Sequence, residues 1–178
     1  IHTICSDDSW AWSNDGPIRF ADNKDGEIVE AWRTPSYGGL AKETKRDVTP
    51  ASSNNVPVTE HERFSVQKVI TTPGGAKVLD FGQNIAGYIS FAVMAKKGQK
   101  IKLRFGEMFD ENGEFTQKNF QCANKKRTRV TPLQQIEYYC KDGSNEYKTK
   151  FAIFGFQYVL IESDVEWKKE DFTAVSVC

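Results

Sequence analysis

The chain has 178 residues, and its 24 basic side chains balance 24 acidic ones. That balance excludes a global field drawing it to nucleic acid or to an anionic membrane surface, and the length allows one full domain with room for part of a second. Aromatics make up 12% with only two Met, and Val, Ile, Phe, Tyr and Thr dominate the apolar runs, which favours pleated sheet over helix.

In chain order, "PIRFA" (17–21) and "EIVEAWR" (27–33) flank "DNKDG", whose Asp-Gly pair predicts a hairpin turn. The stretch 34–58 is poor in apolar residues and rich in Pro, Ser, Asn and charge. It reads as a connector, with a boundary near residue 55. Strands are then expected at 63–72, 76–81, 87–95 and 99–109, each bounded by Gly, Pro or Lys-Gly turns. "DFGQNIAGY" (80–88) lies between two of these and reads as a structured interstrand turn, its Gln83 and Asn84 amides bonding the turn or a ligand. In "KIKLRFGE" the alternation points Ile101, Leu103 and Phe105 to a core and Lys100, Lys102 and Arg104 to water. Further strands are expected at 134–140, 147–154, 156–163 and 172–178, with "KDGSN" (141–145) as a turn. Many short strands separated by turn signals are the habit of all-β sandwiches and jelly rolls, so the fold expected is an all-β antiparallel β-sandwich.

No run reaches the length of about 18 apolar residues that a membrane span needs. The opening "IHTICSDDSW" lacks the zones of a signal peptide and an initiator Met, and is read as the start of a piece cut from a longer protein. Cys5, Cys122, Cys140 and Cys178 show no CxxC spacing and there are only two histidines, His2 and His61, which is poor material for zinc. Idle or buried thiols are the plainer reading, a disulfide the alternative. No GxSxG is present, no glycine-rich loop precedes a helix, and neither histidine sits in a nucleophile-elbow segment, so triad and phosphate-cofactor chemistry are not expected.

Two acidic loops stand out. In "GEMFDENGEF" (106–115), Glu107 and Asp110 could form an acid/base pair, or Asp110, Asn112 and Glu114 could ligate calcium through oxygen. The alternative is a hairpin closed by "DENG", with Gly113 supplying a positive φ; the glycine falls fourth, not sixth as in an EF-hand loop. "DNKDGE" (22–27) offers Asp22, Asp25 and Glu27 in the same way. Asn119, with Gln83 and Asn84, carries an amide suited to sugar hydroxyls or to tying down backbone. The run "NKKRTR" (124–129) reads as a solvated loop, and Trp10, Trp12 and Trp32 as core filling rather than sugar platforms.

"DGPIRFADNKDGEIVEAW", "VLDFGQNIAGYISF", "GEMFDENGEFTQKNF" and "FAIFGFQYVLIE", in this order, resemble the N-terminal β-domains of bacterial α-L-rhamnosidases. The resemblance implies a concanavalin-like sandwich over 56–178, preceded at 1–55 by the tail of another β-domain and a connector. It further implies a parent enzyme that removes terminal α-L-rhamnose by inversion. That chemistry uses two carboxyls about 6.5–9.5 Å apart, which the resemblance assigns to a later helical barrel. The chain is thus expected to be a non-catalytic accessory piece, inactive alone, whose partner is its own catalytic barrel. The alternative is a carbohydrate-binding module for rhamnosides using Gln83, Asn84, Glu107 and Asn119, assisted by calcium at Asp22, Asp25 and Glu27 or at Asp110, Asn112 and Glu114. No nucleic acid or membrane partner is expected, and the unpaired cysteines lean towards a bacterial cytoplasm.

Overall fold

A computed structural model of the chain describes residues 7–44, 49, 51–54, 56–122 and 130–178. The basic run at 124–129 and Cys5 therefore lie outside the described residues. The elements are β1 (Ala11–Trp12), β2 (Ile18–Asp22), β3 (Gly26–Glu30), β4 (Gly39–Leu40), β5 (Glu60–Ser65), β6 (Lys68–Thr71), β7 (Lys77–Ala95), β8 (Lys100–Gly106), β9 (Met108–Phe109), β10 (Phe115–Thr116), β11 (Gln135–Tyr139), β12 (Gly143–Lys148), β13 (Phe154–Ser163) and β14 (Phe172–Val177), with one short 3-10 turn at Lys169–Asp171. The all-β expectation holds. No helix among the described residues is long and apolar enough to cross a membrane.

β7 organises the fold because it belongs to two layers. Its first half pairs with β6 and β13, and β13 continues through β8, β11, β3 and β2. Its second half pairs with β12 on one side and with β14 on the other, and β14 carries β5. The sheet thus curls over on itself, and the inward faces meet. Phe91 of β7 stands edge-on to Tyr138 of β11 at 5.1 Å, and Phe105 of β8 stacks on Phe154 of β13 at 4.3 Å. Aromatic pairs at such spacings add stability beyond the apolar area they bury. Ile101, Leu103 and Phe105 are fully buried, as the alternation requires. Lys100, Lys102 and Arg104 are only partly exposed, because the two lysines grip Glu137 and Arg104 donates to Gln117. Cys140 lies buried in the core, and burial, then the nearby Asp164 charge, pushes its thiol up to about 11. Such a thiol is inert; Cys122, Cys140 and Cys178 are all free.

Several details depart from the reading of the sequence. The sandwich is antiparallel except at one place, where β3 and β11 pair in parallel. Through that pair the β2–β3 hairpin, assigned above to the tail of a preceding domain, joins the same sheet as the residues after 56. The run 63–72 is two strands, β5 and β6, which leave for different layers on either side of buried Val66. The turn at "KDGSN" shrinks because β12 begins at Gly143, and buried Asn145 ties it down by bonding Lys141 and Gly143. Trp10 and Trp12 do not fill the core: both are about half exposed, on the separate β1–β4 pair. Trp32 is half-buried, edge-on to Tyr139 with Lys97 over its ring.

Candidate functional site

The largest correction concerns "DFGQNIAGY". It is not a turn between strands but the middle of β7, one strand of 19 residues. Opposite it, β13 advances from Phe156 to Tyr158 while β7 runs from Ile85 back to Asp80, so residues 81–84 face the single residue Gln157. This is a large bulge, and bulges bend a strand and re-aim side chains. Gly82 adopts φ +80° there, a value costly for other residues, and buried Asp80 holds the bulge through Gly82 N (2.8 Å) and Gln157 Nε2 (3.0 Å). Just beyond, a Cβ at Gly87 would lie 2.0 Å from the Val175 carbonyl oxygen. Only glycine lets β7 pass from β13 to β14 at that point.

The bulge delivers Asn84 to Glu107, in the link between β8 and β9. Asn84 Nδ2 donates to Glu107 Oε1 at 3.2 Å, and Asn119 Nδ2 donates to Glu107 Oε2 at 2.7 Å. Asn119 is placed by buried Gln117, which donates to the Phe105 and Leu133 carbonyls and accepts from Arg104. Three of the four residues named as carbohydrate contacts thus meet in one exposed amide–carboxylate–amide cluster. Gln83 is exposed and takes no part in these hydrogen bonds. With both oxygens of Glu107 held by amides, the cluster can offer the remaining amide N–H and carbonyl groups to a polyol.

The acidic loops are structural. Asp110 Oδ1 accepts from the backbone N–H of Asn112 and of Glu114, both at 2.9 Å, and Gly113 has φ +77°. This is the β9–β10 hairpin, in which Asp110 caps the turn and Glu114 accepts from Gly74 N. In the other loop Asp22 Oδ1 takes the N–H groups of Lys24 and Asp25, and Asp25 reaches Leu133 N. Glu27 points into the protein, 1% exposed, and accepts from Lys150 N, Phe151 N, Ala152 N and the Tyr147 hydroxyl. These three side chains diverge onto separate backbone donors. Among the described residues, no three His, Cys, Asp or Glu side chains converge on a point where a metal ion could sit.

A second polar cluster was not foreseen. Glu60 of β5 accepts from the Tyr88 hydroxyl (2.5 Å), from Lys148 of β12 and from Arg63 (2.9 Å). Hydrogen bonding from Lys148 and then from Tyr88 holds the Glu60 carboxyl down at about 2, while burial and then Glu60 push the Tyr88 phenol up. The members are scattered from residue 60 to residue 148, so no local spacing announces them.

The model of the bacterial alpha-L-rhamnosidase concanavalin-like domain matches residues 70–178. The chain belongs to this family. An alpha-L-rhamnosidase of Alteromonas sp. (strain LOR) is 29% identical over 181 residues, covering 93% of this chain and 18% of that protein. One from Formosa agariphila is 31% identical over 171 residues, covering 88% of this chain and 17% of that protein. The solved structure of an alpha-L-rhamnosidase from Aspergillus terreus superposes with TM-score 0.79 at 26% identity, over 98% of this chain and 21% of that one. The chain therefore spans under a fifth of the curated rhamnosidases it matches. The matched region of the family model holds the β7 bulge, Glu107, Asn119 and the acidic β9–β10 hairpin.

Proposed function

We propose that this chain works as a non-catalytic accessory sandwich of an α-L-rhamnosidase, packing on a catalytic helical barrel and shaping its cleft. The enzyme as a whole would remove terminal α-L-rhamnose from glycosides with inversion. The observation that carries the proposal is the match of the concanavalin-like domain model to 70–178 in a chain equivalent to under a fifth of its curated relatives. A packing module also needs a face to pack with. The β1–β4 pair and its flanks leave Trp10, Trp12 and Leu40 about half exposed and Tyr37 71% exposed, and exposed apolar patches mark interaction surfaces. Sedimentation velocity tests this: the chain self-associates reversibly through that face, and the paired substitution Trp10→Ser with Trp12→Ser returns it to monomer. A chain that stays monomeric at every concentration removes this face from the proposal.

A second reading, a carbohydrate-binding module, is favoured by one observation, the exposed Asn84–Glu107–Asn119 cluster. Calorimetric titration with L-rhamnose, with and without calcium, decides it: a flat trace at millimolar sugar ends that reading.

A further inference from the structure

Asn112 is the only asparagine of the chain that is followed by glycine. It sits at the tip of the β9–β10 hairpin, where residues 111–113 are all exposed. Its side-chain amide has no hydrogen-bond partner among the described residues. The amides of Asn84 and Asn119, in contrast, are held by Glu107, and that of Asn145 by Lys141 and Gly143. Asn112 is thus free to turn its amide carbon towards the backbone nitrogen of Gly113, and the glycine brings no Cβ to obstruct the approach.

We propose that Asn112 is a site of spontaneous modification, converting to aspartate and isoaspartate through a cyclic imide. The Gly113 nitrogen gives up its proton to hydroxide and attacks the Asn112 side-chain carbonyl carbon; as the new C–N bond forms, the side-chain nitrogen leaves as ammonia. Water then opens the imide ring at either carbonyl. One opening gives aspartate, and the other gives isoaspartate, in which the backbone runs through the former side chain. Water is the only co-reactant, and nothing is oxidised or reduced.

The hairpin sets the pace of this reaction. In the closed tip the Gly113 N–H donates to the Asp110 carbonyl at 3.0 Å, and Asp110 Oδ1 holds the N–H groups of Asn112 and Glu114 at 2.9 Å, so the nucleophile is occupied. The root of the hairpin is fixed. Phe109 stands edge-on to Tyr158 at 4.8 Å, and a Cβ at Gly106 would come within 2.7 Å of the Phe115 ring. Between these anchors the tip is held by the Asp110 bonds and by Glu114 accepting from Gly74 N, and exposed hydrogen bonds with little buried apolar contact open at low cost. Reaction therefore proceeds from a tip that opens while Phe109 and Phe115 stay seated. The product adds a carboxylate beside Asp110, Glu111 and Glu114, and like charges so close together repel. Isoaspartate also lengthens the backbone by a methylene, so the tip no longer closes on the Asp110 cap in the same geometry.

This modification is independent of the proposed function. To test it, the full chain is incubated at mildly alkaline pH, and the tryptic peptide 105–118, in which Asn112 is the only asparagine, is followed by mass spectrometry and by enzymatic methylation of isoaspartate. The amide-to-acid mass gain and the isoaspartyl label should appear at Asn112, rise with pH, and accumulate more slowly than in the free peptide 105–118. Asp110→Ala should speed the conversion about fivefold or more, the change in open population that losing a capping hydrogen bond brings. Glu114→Ala, which releases the tip from Gly74, should shift the rate in the same direction and serves where a melt shows that the first variant does not fold. Asn112→Gln should give no label. A wild type that stays unmodified while the free peptide converts overturns the proposal, as does label confined to another asparagine, a rate independent of pH, or a rate that neither Asp110→Ala nor Glu114→Ala changes.

Discussion

Glu27 and Glu107 were both nominated as ligand-handling carboxylates, and both are held by donors from distant segments, yet they do opposite work. Glu27 is buried and spends its oxygens on three consecutive backbone N–H groups of 150–152 and on the Tyr147 hydroxyl. Burial, then the bond to Glu27, pushes the Tyr147 phenol well above the usual tyrosine range, so it remains a donor. Glu107 is exposed and bonded only by two side-chain amides. Burial, not residue type or local spacing, decides which carboxylate locks the fold and which remains open to a ligand.

The sharpest way to break this comparison is Glu27→Ala. It orphans several buried donors at about 1–3 kcal/mol each, so the urea midpoint should fall by the equivalent of about 3 kcal/mol or more; a loss under about 1 kcal/mol would place Glu27 outside the structural role. Next in size comes Gly87→Ala, where a Cβ 2.0 Å from the Val175 oxygen forces β7 and β14 apart. The expected loss is about 1–3 kcal/mol in the same measurement. Asn84→Ala should lower the melting temperature slightly, by the equivalent of under about 1 kcal/mol, because its bond to Glu107 is exposed; an unchanged melt with lost sugar binding would move Asn84 from the bulge to the ligand. The smallest effect concerns Glu60. Its folded pKa of about 2 lies below the ordinary 4.5, so its contribution is present above 4.5 and fades as the pH falls towards 2. The gap in melting temperature between wild type and Lys148→Met should narrow across that window, and a gap independent of pH would contradict the assignment.

The sequence displayed the parts of the fold whose signals are local. Alternation marked the buried face of β8, "DENG" marked the β9–β10 hairpin, and Asp-Gly marked the β2–β3 hairpin. What it concealed depends on partners far away. The continuity of β7 through Gly82 is set by the register of β13, and a glycine between two apolar runs looks the same in a turn as in a bulge. Of the site, Asn84, Glu107 and Asn119 were legible as residue types suited to sugars, although only the fold brings them together. Asp22, Asp25 and Glu27 have a spacing that suits a calcium loop and a turn alike, and only the fold shows the backbone donors that each accepts.

The central claim, that this family member is an accessory piece without the reaction, is tested most directly by incubating the full chain with para-nitrophenyl α-L-rhamnopyranoside and following release of nitrophenol. The account predicts release no faster than in buffer, for wild type and Glu107→Gln alike. Turnover by the wild type that Glu107→Gln abolishes would contradict it and make Glu107 catalytic.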